Sequence, residues 1–226
     1  MINISYLKFE KMTQQSFEKL MTTIPSSFHK KITAYRYWED QYASLFGKIL
    51  LKNLLVANGY EDTILSYLKY NEYGKPFIDE PVCFSISHSG NMVVCALVNN
   101  SEIGIDIELL KKIDILPFKN VFTENEWETI TESVDSLKTF YTLWTKKESV
   151  IKADGRGLSI PLHNVSIETK IAVIHEYHQK KLWHLNEVPI DHNYSSYLSI
   201  NPNCFIKSIK EFDLQSYLNY VDIEAV

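Results

Sequence analysis

The sequence is poor in several things that would define a function class at once. Among 226 residues there are three cysteines, seven glycines, seven prolines and two arginines, Arg36 and Arg156. Cys83, Cys95 and Cys204 are odd in number and lack metal-ligand spacing, which excludes a disulfide framework and makes reduced thiols the expectation. Cys83 and Cys95 fall in apolar, strand-like runs and read as core. No apolar run approaches the ~18 residues of a membrane-spanning helix. The N-terminus, Met1-Ile2-Asn3-Ile4-Ser5-Tyr6, lacks a basic stretch followed by an apolar one, so a cytoplasmic protein is expected. The formal net charge of −5 argues against a nucleic-acid or membrane-surface binder. There is no low-complexity segment and no short repeat.

What is present suits a small enzyme. The chain is 45% apolar, enough for a sizeable core, and its length allows one large domain or two small ones. Periodicity predicts a strand over Ile2–Phe9, a helix over Gln14–Met21, a short helix after Pro25 and a long one over Trp38–Asn58, stopped by Gly59. Strands are predicted over 82–87, 92–98 and 102–108. Thr123 is a good N-cap for a helix beginning Glu124-Asn125-Glu126. A second long helix covers Leu137–Ala153 and ends at Asp154-Gly155-Arg156-Gly157. Alternating segments then run from Val165 to Lys210. Each half pairs a long helix with a small antiparallel sheet, so the expected fold class is α+β. Two similar subdomains, 1–104 and 105–226, would meet near Gly104.

Three clusters carry the chemistry. In the second long helix Leu137, Tyr141, Trp144 and Ile151 form an apolar stripe. At about 100° per residue, Glu148 projects from the middle of it, with Lys152 one turn on. A carboxylate there costs several kcal/mol unless a cation pairs it. In the strand around Ile103-Gly104-Ile105-Asp106-Ile107-Glu108, Asp106 and Glu108 share a face. Two adjacent carboxylates suit a hard divalent cation, Mg²⁺ or Mn²⁺, better than zinc. Solvated acids on an exposed strand give the same pattern. The run Phe84-Ser85-Ile86-Ser87-His88-Ser89-Gly90-Asn91 reads as a strand whose last residues, from Ser87 on, form a hairpin tip rich in phosphate donors. Upstream, Pro76 restricts Lys75 to extended backbone within the turn Asn71–Phe77, presenting a fixed cation.

The ordered set Gly74-Lys75-Pro76, Phe84–Ser89, Ile103–Glu108 and Trp144–Lys152 resembles the 4′-phosphopantetheinyl transferase superfamily, in its larger, Sfp-type branch. The resemblance spans roughly residues 74–160, with a weaker part over Tyr35–Gly47. The last 60 residues carry no recognised motif. It implies two subdomains related by a pseudo-two-fold axis, with the active site at their junction, and a monomer. It also implies transfer of 4′-phosphopantetheine from coenzyme A to a serine of an apo acyl or peptidyl carrier protein or domain, of the peptide and polyketide synthetase type, with release of 3′,5′-ADP. Asp106, Glu108 and Glu148 are then expected to hold Mg²⁺. Glu148, directly or through a water on the metal, would be the base, and Lys152 would meet the leaving phosphate. Lys75, Ser87 and His88 would bind coenzyme A phosphates, with Lys31 and Ser44 as candidates for the 3′-phosphate. Glu126 would either assist at the metal or be a solvated helix end.

The chain departs from the resembled pattern just before Lys31, where Phe28 and His29 stand in place of a second basic residue. That puts tight 3′-phosphate recognition in question. For the acceptor, Lys111, Lys112 and Lys119 together with Ile113, Ile115, Leu116 and Phe118 make a basic-apolar surface suited to a carrier helix, and a partly buried loop would look the same. Two other readings use the same acids: a nucleotide-binding module with a structural metal, and a metal-dependent phosphohydrolase. Neither calls for the Gly74-Lys75-Pro76 and His88 motifs in this order.

Overall fold

The computed structural model describes residues 1–175, 180–200 and 204–224. Strand β1 (Ile2–Lys8) leads to α1 (Gln14–Thr22), a short α2 (His29–Thr33) and the long α3 (Trp38–Ala57). A small ribbon, β2 (Lys69–Tyr70) and β3 (Pro76–Phe77), precedes β4 (Val82–Ser89), β5 (Met92–Asn99) and β6 (Ile103–Leu109). Helices α4 (Glu124–Glu132) and α5 (Ser136–Asp154) follow. Then come β7 (Val165–Glu168), β8 (Ile171–His175), β9 (Lys180–Glu187), β10 (Tyr194–Ile200), β11 (Ile206–Glu211) and α6 (Leu214–Glu224). The fold class is α+β, as expected from the sequence.

Two sheets lie back to back with a long helix on each outer face. One has the order β11-β1-β5-β4 and the other β6-β10-β9-β8-β7. Strand alternation explains the layering. On β5, Val93, Cys95 and Leu97 join the cluster built on Leu45, Phe46, Ile49 and Leu50 of α3. The other face, Met92, Val94, Ala96 and Val98, meets Ile103, Ile105 and Ile107 of β6 and Leu198 of β10. The three β6 isoleucines are fully buried, each contributing roughly 1.5–3 kcal/mol. The opposite face of β6, with Gly104, Asp106 and Glu108, is left for α5, which also buries Val150, Ile151 and Ala153 against Val165, Ala172, Ile174 and Trp183.

The chain crosses the division drawn at Gly104. Gly104 lies inside β6, and the last elements return to the first sheet, where β11 runs parallel to β1 with Ile2 opposite Ile206. Phe212, Leu214, Tyr217 and Leu218 then pack on the α3 cluster. The physical reason is the edge of β1, whose unpaired backbone groups need a strand beside them, and the apolar Ile206 and Ile209 supply cover for Ile2 and Ile4.

Gly104 decides how closely α5 can approach. A Cβ built there would stand 2.0 Å from the Ser149 carbonyl oxygen and 2.3 Å from the Ala153 nitrogen, both backbone atoms. Gly104→Ala must therefore push the whole helix off β6. We expect a loss at or beyond the upper end of the ~1–3 kcal/mol typical of overpacking, read as a melting temperature lower by roughly 10 °C. A melting temperature equal to wild type would show that α5 can shift freely.

Candidate active site

Helix α5 is held at both ends. Asp135 caps its start by accepting from the Lys138 N–H at 3.0 Å. Gly155, with φ of +94°, ends it and donates its N–H to the Ile151 carbonyl, a conformation that costs glycine little. Held against Gly104, the helix brings Glu148 and Lys152 to the acids of β6.

Asp106 is 2% exposed. Its Oδ1 accepts from Ser87 Oγ at 2.8 Å and from Lys152 Nζ at 2.6 Å, and Lys152 also donates to Ser87 Oγ. Its Oδ2 is buried without a hydrogen-bond partner. Ser89 Oγ donates to Glu108 Oε2 at 2.7 Å. The same serines join the two sheets: Ser85 Oγ accepts from the Ile105 N–H at 3.0 Å and Ser89 Oγ from the Leu109 N–H at 3.1 Å. Burial, then the Asp106 charge, raises the pKa of Glu108. The same two causes, opposed by Lys152 and assisted by Glu108, push Glu148 up from 4.5 to about 7.

Several expectations change here. Ser87 and His88 are not loop residues. β4 continues through Ser89, with His88 opposite Val93 and Ser89 opposite Met92, and the loop is only Gly90-Asn91. Gly90 has φ of +58°, as the first loop residue of a two-residue hairpin of this kind needs. Serines read as turn formers are strand residues whose hydroxyls satisfy the neighbouring strand. The signal was the spacing Ser85, Ser87, Ser89, which puts three hydroxyls on one face. Lys152 pairs with Asp106 rather than with Glu148, because its ammonium reaches across to β6. Among the described residues no three His, Cys, Asp or Glu side chains converge in a geometry that could hold a metal ion. The set Asp106, Glu108 and Glu148 is thus close enough to interact but not closed around a point. The unpartnered Asp106 Oδ2 and the raised carboxyls of Glu108 and Glu148, both pushed up by burial and by Asp106, nevertheless fit a hard cation.

Glu126 is neither a metal-site acid nor a solvated helix end. It is buried, its Oε2 lies 2.8 Å from Lys147 Nζ, and its Oε1 accepts from the Ile167 N–H at 3.0 Å. Lys147, fully buried, also donates to the Leu162 and Val165 carbonyls. Sequence reasoning missed this pair because the apolar stripe of α5 was drawn on one face, whereas the helix is enclosed on several.

Lys75 reaches the junction but turns to the backbone. Its Nζ donates to the carbonyls of Ala153 at 3.0 Å and Ile103 at 3.3 Å, and burial lowers its pKa. Asn71, also missed, fixes this turn by accepting from the Lys75 and Tyr73 N–H groups and donating to the Gly155 carbonyl. Lys75 and Lys152 line one cleft of about 240 Å³ with Ser85, Ile86 and Ile151. His88 alternates to the other face of β4 and opens onto a larger cleft of about 680 Å³ with Trp38, Asp40 and Lys111. Enclosure, then the Lys152 charge, lowers its pKa. Lys31 sits on the Tyr70 ring, 5.2 Å from its centroid, and Ser44 is on α3. Neither touches the acid cluster. Lys111, Lys112 and Lys119 are exposed, as are Ile113 and Leu116, while Phe118 packs inward on Phe140 and Trp144.

A largely buried acid pair met by Lys152 from α5, beside two clefts where β4 and β6 face each other, suits the handling of a phosphate group. Family descriptions agree. A model of the 4′-phosphopantetheinyl transferase superfamily matches residues 102–197, and one of the N-terminal part of 4′-phosphopantetheinyl transferase matches residues 11–100. The chain is 36% identical over 186 residues to the 4′-phosphopantetheinyl transferase gsp of Aneurinibacillus migulanus, covering 80% of this chain and 77% of that one. It is 34% identical over 160 residues to the 4′-phosphopantetheinyl transferase Sfp of Bacillus subtilis, covering 69% and 71%. A putative 4′-phosphopantetheinyl transferase of Haemophilus influenzae is 31% identical over 176 residues, 74% of each chain. The chain belongs to the 4′-phosphopantetheinyl transferase superfamily. Among the described residues no helix is long and apolar enough to cross a membrane.

Two outcomes separate the acids. The native form holds a proton on Glu148 that the unfolded chain has lost between pH 4.5 and about 7. Stability from this group is therefore full below pH 4.5 and falls as pH rises through 7. With a chelator present, Glu148→Gln should melt above wild type at pH 8, and the gap should close toward pH 5. A gap independent of pH would contradict the raised pKa. Lys147→Met should instead destabilise by roughly 3–5 kcal/mol, because it strands the buried Glu126 charge. Denaturant unfolding measures it.

Proposed function

We propose that this chain moves the 4′-phosphopantetheine group of coenzyme A onto a serine hydroxyl of an apo carrier protein or carrier domain, at the junction of β4, β6 and α5. The observation that carries this reading is Asp106, whose buried Oδ2 has no partner while its Oδ1 is bracketed by Ser87 and Lys152. Such an oxygen is costly to bury unless a ligand cation meets it. Asp106, Glu108 and Glu148 would hold Mg²⁺, with Mn²⁺ chemically suited as well. The metal would neutralise charge on the donor diphosphate.

The chain's own groups account for the rest. Glu148, whose carboxyl burial and the Asp106 charge push up in the metal-free chain, is the candidate general base, directly or through a water on the metal. It takes the proton from the carrier serine as that oxygen forms a bond to the β-phosphorus of coenzyme A. The bond from that phosphorus to the bridging oxygen breaks, and 3′,5′-ADP leaves. Lys152 lies between Asp106 and the cleft and stabilises the negative charge that grows on the leaving phosphate. His88 binds phosphate from the other face of β4. Lys75 fixes the end of α5 against β6, and its role at the donor is to shape the cleft. The exposed Lys111, Lys112 and Lys119 with Ile113 and Leu116 form the surface for an acidic carrier helix. These assignments are supported by family membership, and the relatives bearing the transferase name are the precedent for the reaction.

Single-turnover transfer tests the roles. Lys152→Ala should lower the rate roughly 100- to 1,000-fold. Asp106→Ala should reduce transfer at least as much in limiting Mg²⁺. Asp106→Ala, which relieves carboxylate repulsion, should keep a melting temperature near that of wild type, whereas Lys152→Ala leaves the buried Asp106 charge without its ammonium and should also lower the melting temperature. A Lys152→Ala enzyme with unchanged turnover would reduce the lysine to a counter-ion of Asp106.

A further inference from the structure

Lys48 lies on α3 one turn after Ser44, so the two side chains share a helix face. Its Nζ stands over the Phe28 ring, 5.5 Å from the centroid. Among the described residues it makes no hydrogen bond and no ion pair. Its surroundings are cationic: burial, then the charge of Lys31, lowers its pKa. His88 in turn feels both Lys152 and Lys48. Ammonium groups therefore run from Lys152, past the His88 imidazole, to Lys48 and Lys31. A half-buried lysine facing a second lysine without a counter-ion is unfavourable, and a dianion between them removes the penalty.

The segment shortly before Lys31, where the resembled branch often has a second basic residue, holds Phe28 and His29 here, and neither supplies that charge. Phe28 is apolar and forms the floor under Lys48. His29 is turned into the fold, its Nε2 at 2.7 Å from the Met21 carbonyl oxygen and 3.3 Å from that of Ile24. That ring nitrogen is thus committed to backbone carbonyls at the end of α1 and just beyond it. Lys31, itself drawn onto Tyr70, would by itself leave a phosphate monoester half-neutralised, and its neighbour Lys30 is exposed to solvent.

We propose that Lys48 is a donor-recognition residue, binding the 3′-phosphate of coenzyme A together with Lys31 and Ser44. This rests on the transferase reading above and names the residue that restores monoester recognition in this chain. A molecule with a diphosphate at one end and a phosphate monoester at the other matches the cation run from Lys152 to Lys31. Lys48 acts on binding, not on the reacting phosphorus, so its loss should appear in KM and not in kcat.

The test compares ligands with and without the 3′-phosphate. Titration calorimetry without carrier should show wild type binding 3′,5′-ADP more tightly than 5′-AMP. Lys48→Met should weaken 3′,5′-ADP binding about tenfold or more, as loss of a charge-assisted contact does, and leave 5′-AMP unchanged. Lys48→Arg should restore most of it. In transfer assays Lys48→Met should raise KM for coenzyme A and leave KM for 3′-dephospho-coenzyme A and both kcat values unchanged. Equal losses for both ligands, no loss for either, or a wild type blind to the 3′-phosphate would each overturn the proposal. Failure of the underlying reading is a separate result, in which the wild-type chain modifies no apo carrier from either donor.

Discussion

The site depends on one close approach. Because Gly104 has no side chain, the backbone of α5 rests directly on β6 at Ser149 and Ala153. That contact sets the height of the helix over the strand. At that height Lys152 reaches Asp106 Oδ1, and Glu148 enters the field of Asp106 and Glu108. The hydroxyl pair Ser149–Ser199, at 2.6 Å, satisfies polar groups at the same crossing. Without the approach, the residues of the site would remain in the chain but not in one place.

The second constraint is the seam between the sheets. β4 and β6 are not joined by a backbone ladder, since they belong to different sheets. Ser85 and Ser89 hydroxyls take the place of strand carbonyls for two β6 N–H groups. Ser87, between them, is free to donate to Asp106. The seam is thus polar by necessity, because a buried N–H needs a partner. A polar seam that faces a helix-borne acid and lysine already has the groups that phosphate chemistry requires.

The strongly periodic parts were legible in the sequence. The period of two in Ile103–Glu108 assigned both the buried isoleucines and the acid face, because a single-residue slip would reverse every side chain. The ends of α3 and α5 followed from Gly59 and Gly155, whose positive φ the structure confirms. Three features were not legible for physical reasons. Serines serve turns and seams equally well, so β4 was ended two residues early. The burial of Lys147 had no local signal, because a lysine is rarely fully buried and its partner Glu126 comes from a different helix. The direction of Lys75 depended on where α5 ends in space, which no local pattern encodes. The return of β11 to β1 is likewise a pairing across the whole chain, with Ile2 beside Ile206.

In the proposed reaction Asp106, Glu148 and Lys152 serve group transfer, not hydrolysis or nucleotide storage. The most direct measurement is the intact mass of an apo carrier domain after incubation with this chain, coenzyme A and Mg²⁺. The account predicts a gain of one phosphopantetheine group per carrier, on its serine, with one equivalent of 3′,5′-ADP released. An unmodified carrier accompanied by free phosphate, or by bound and unchanged coenzyme A, would contradict it.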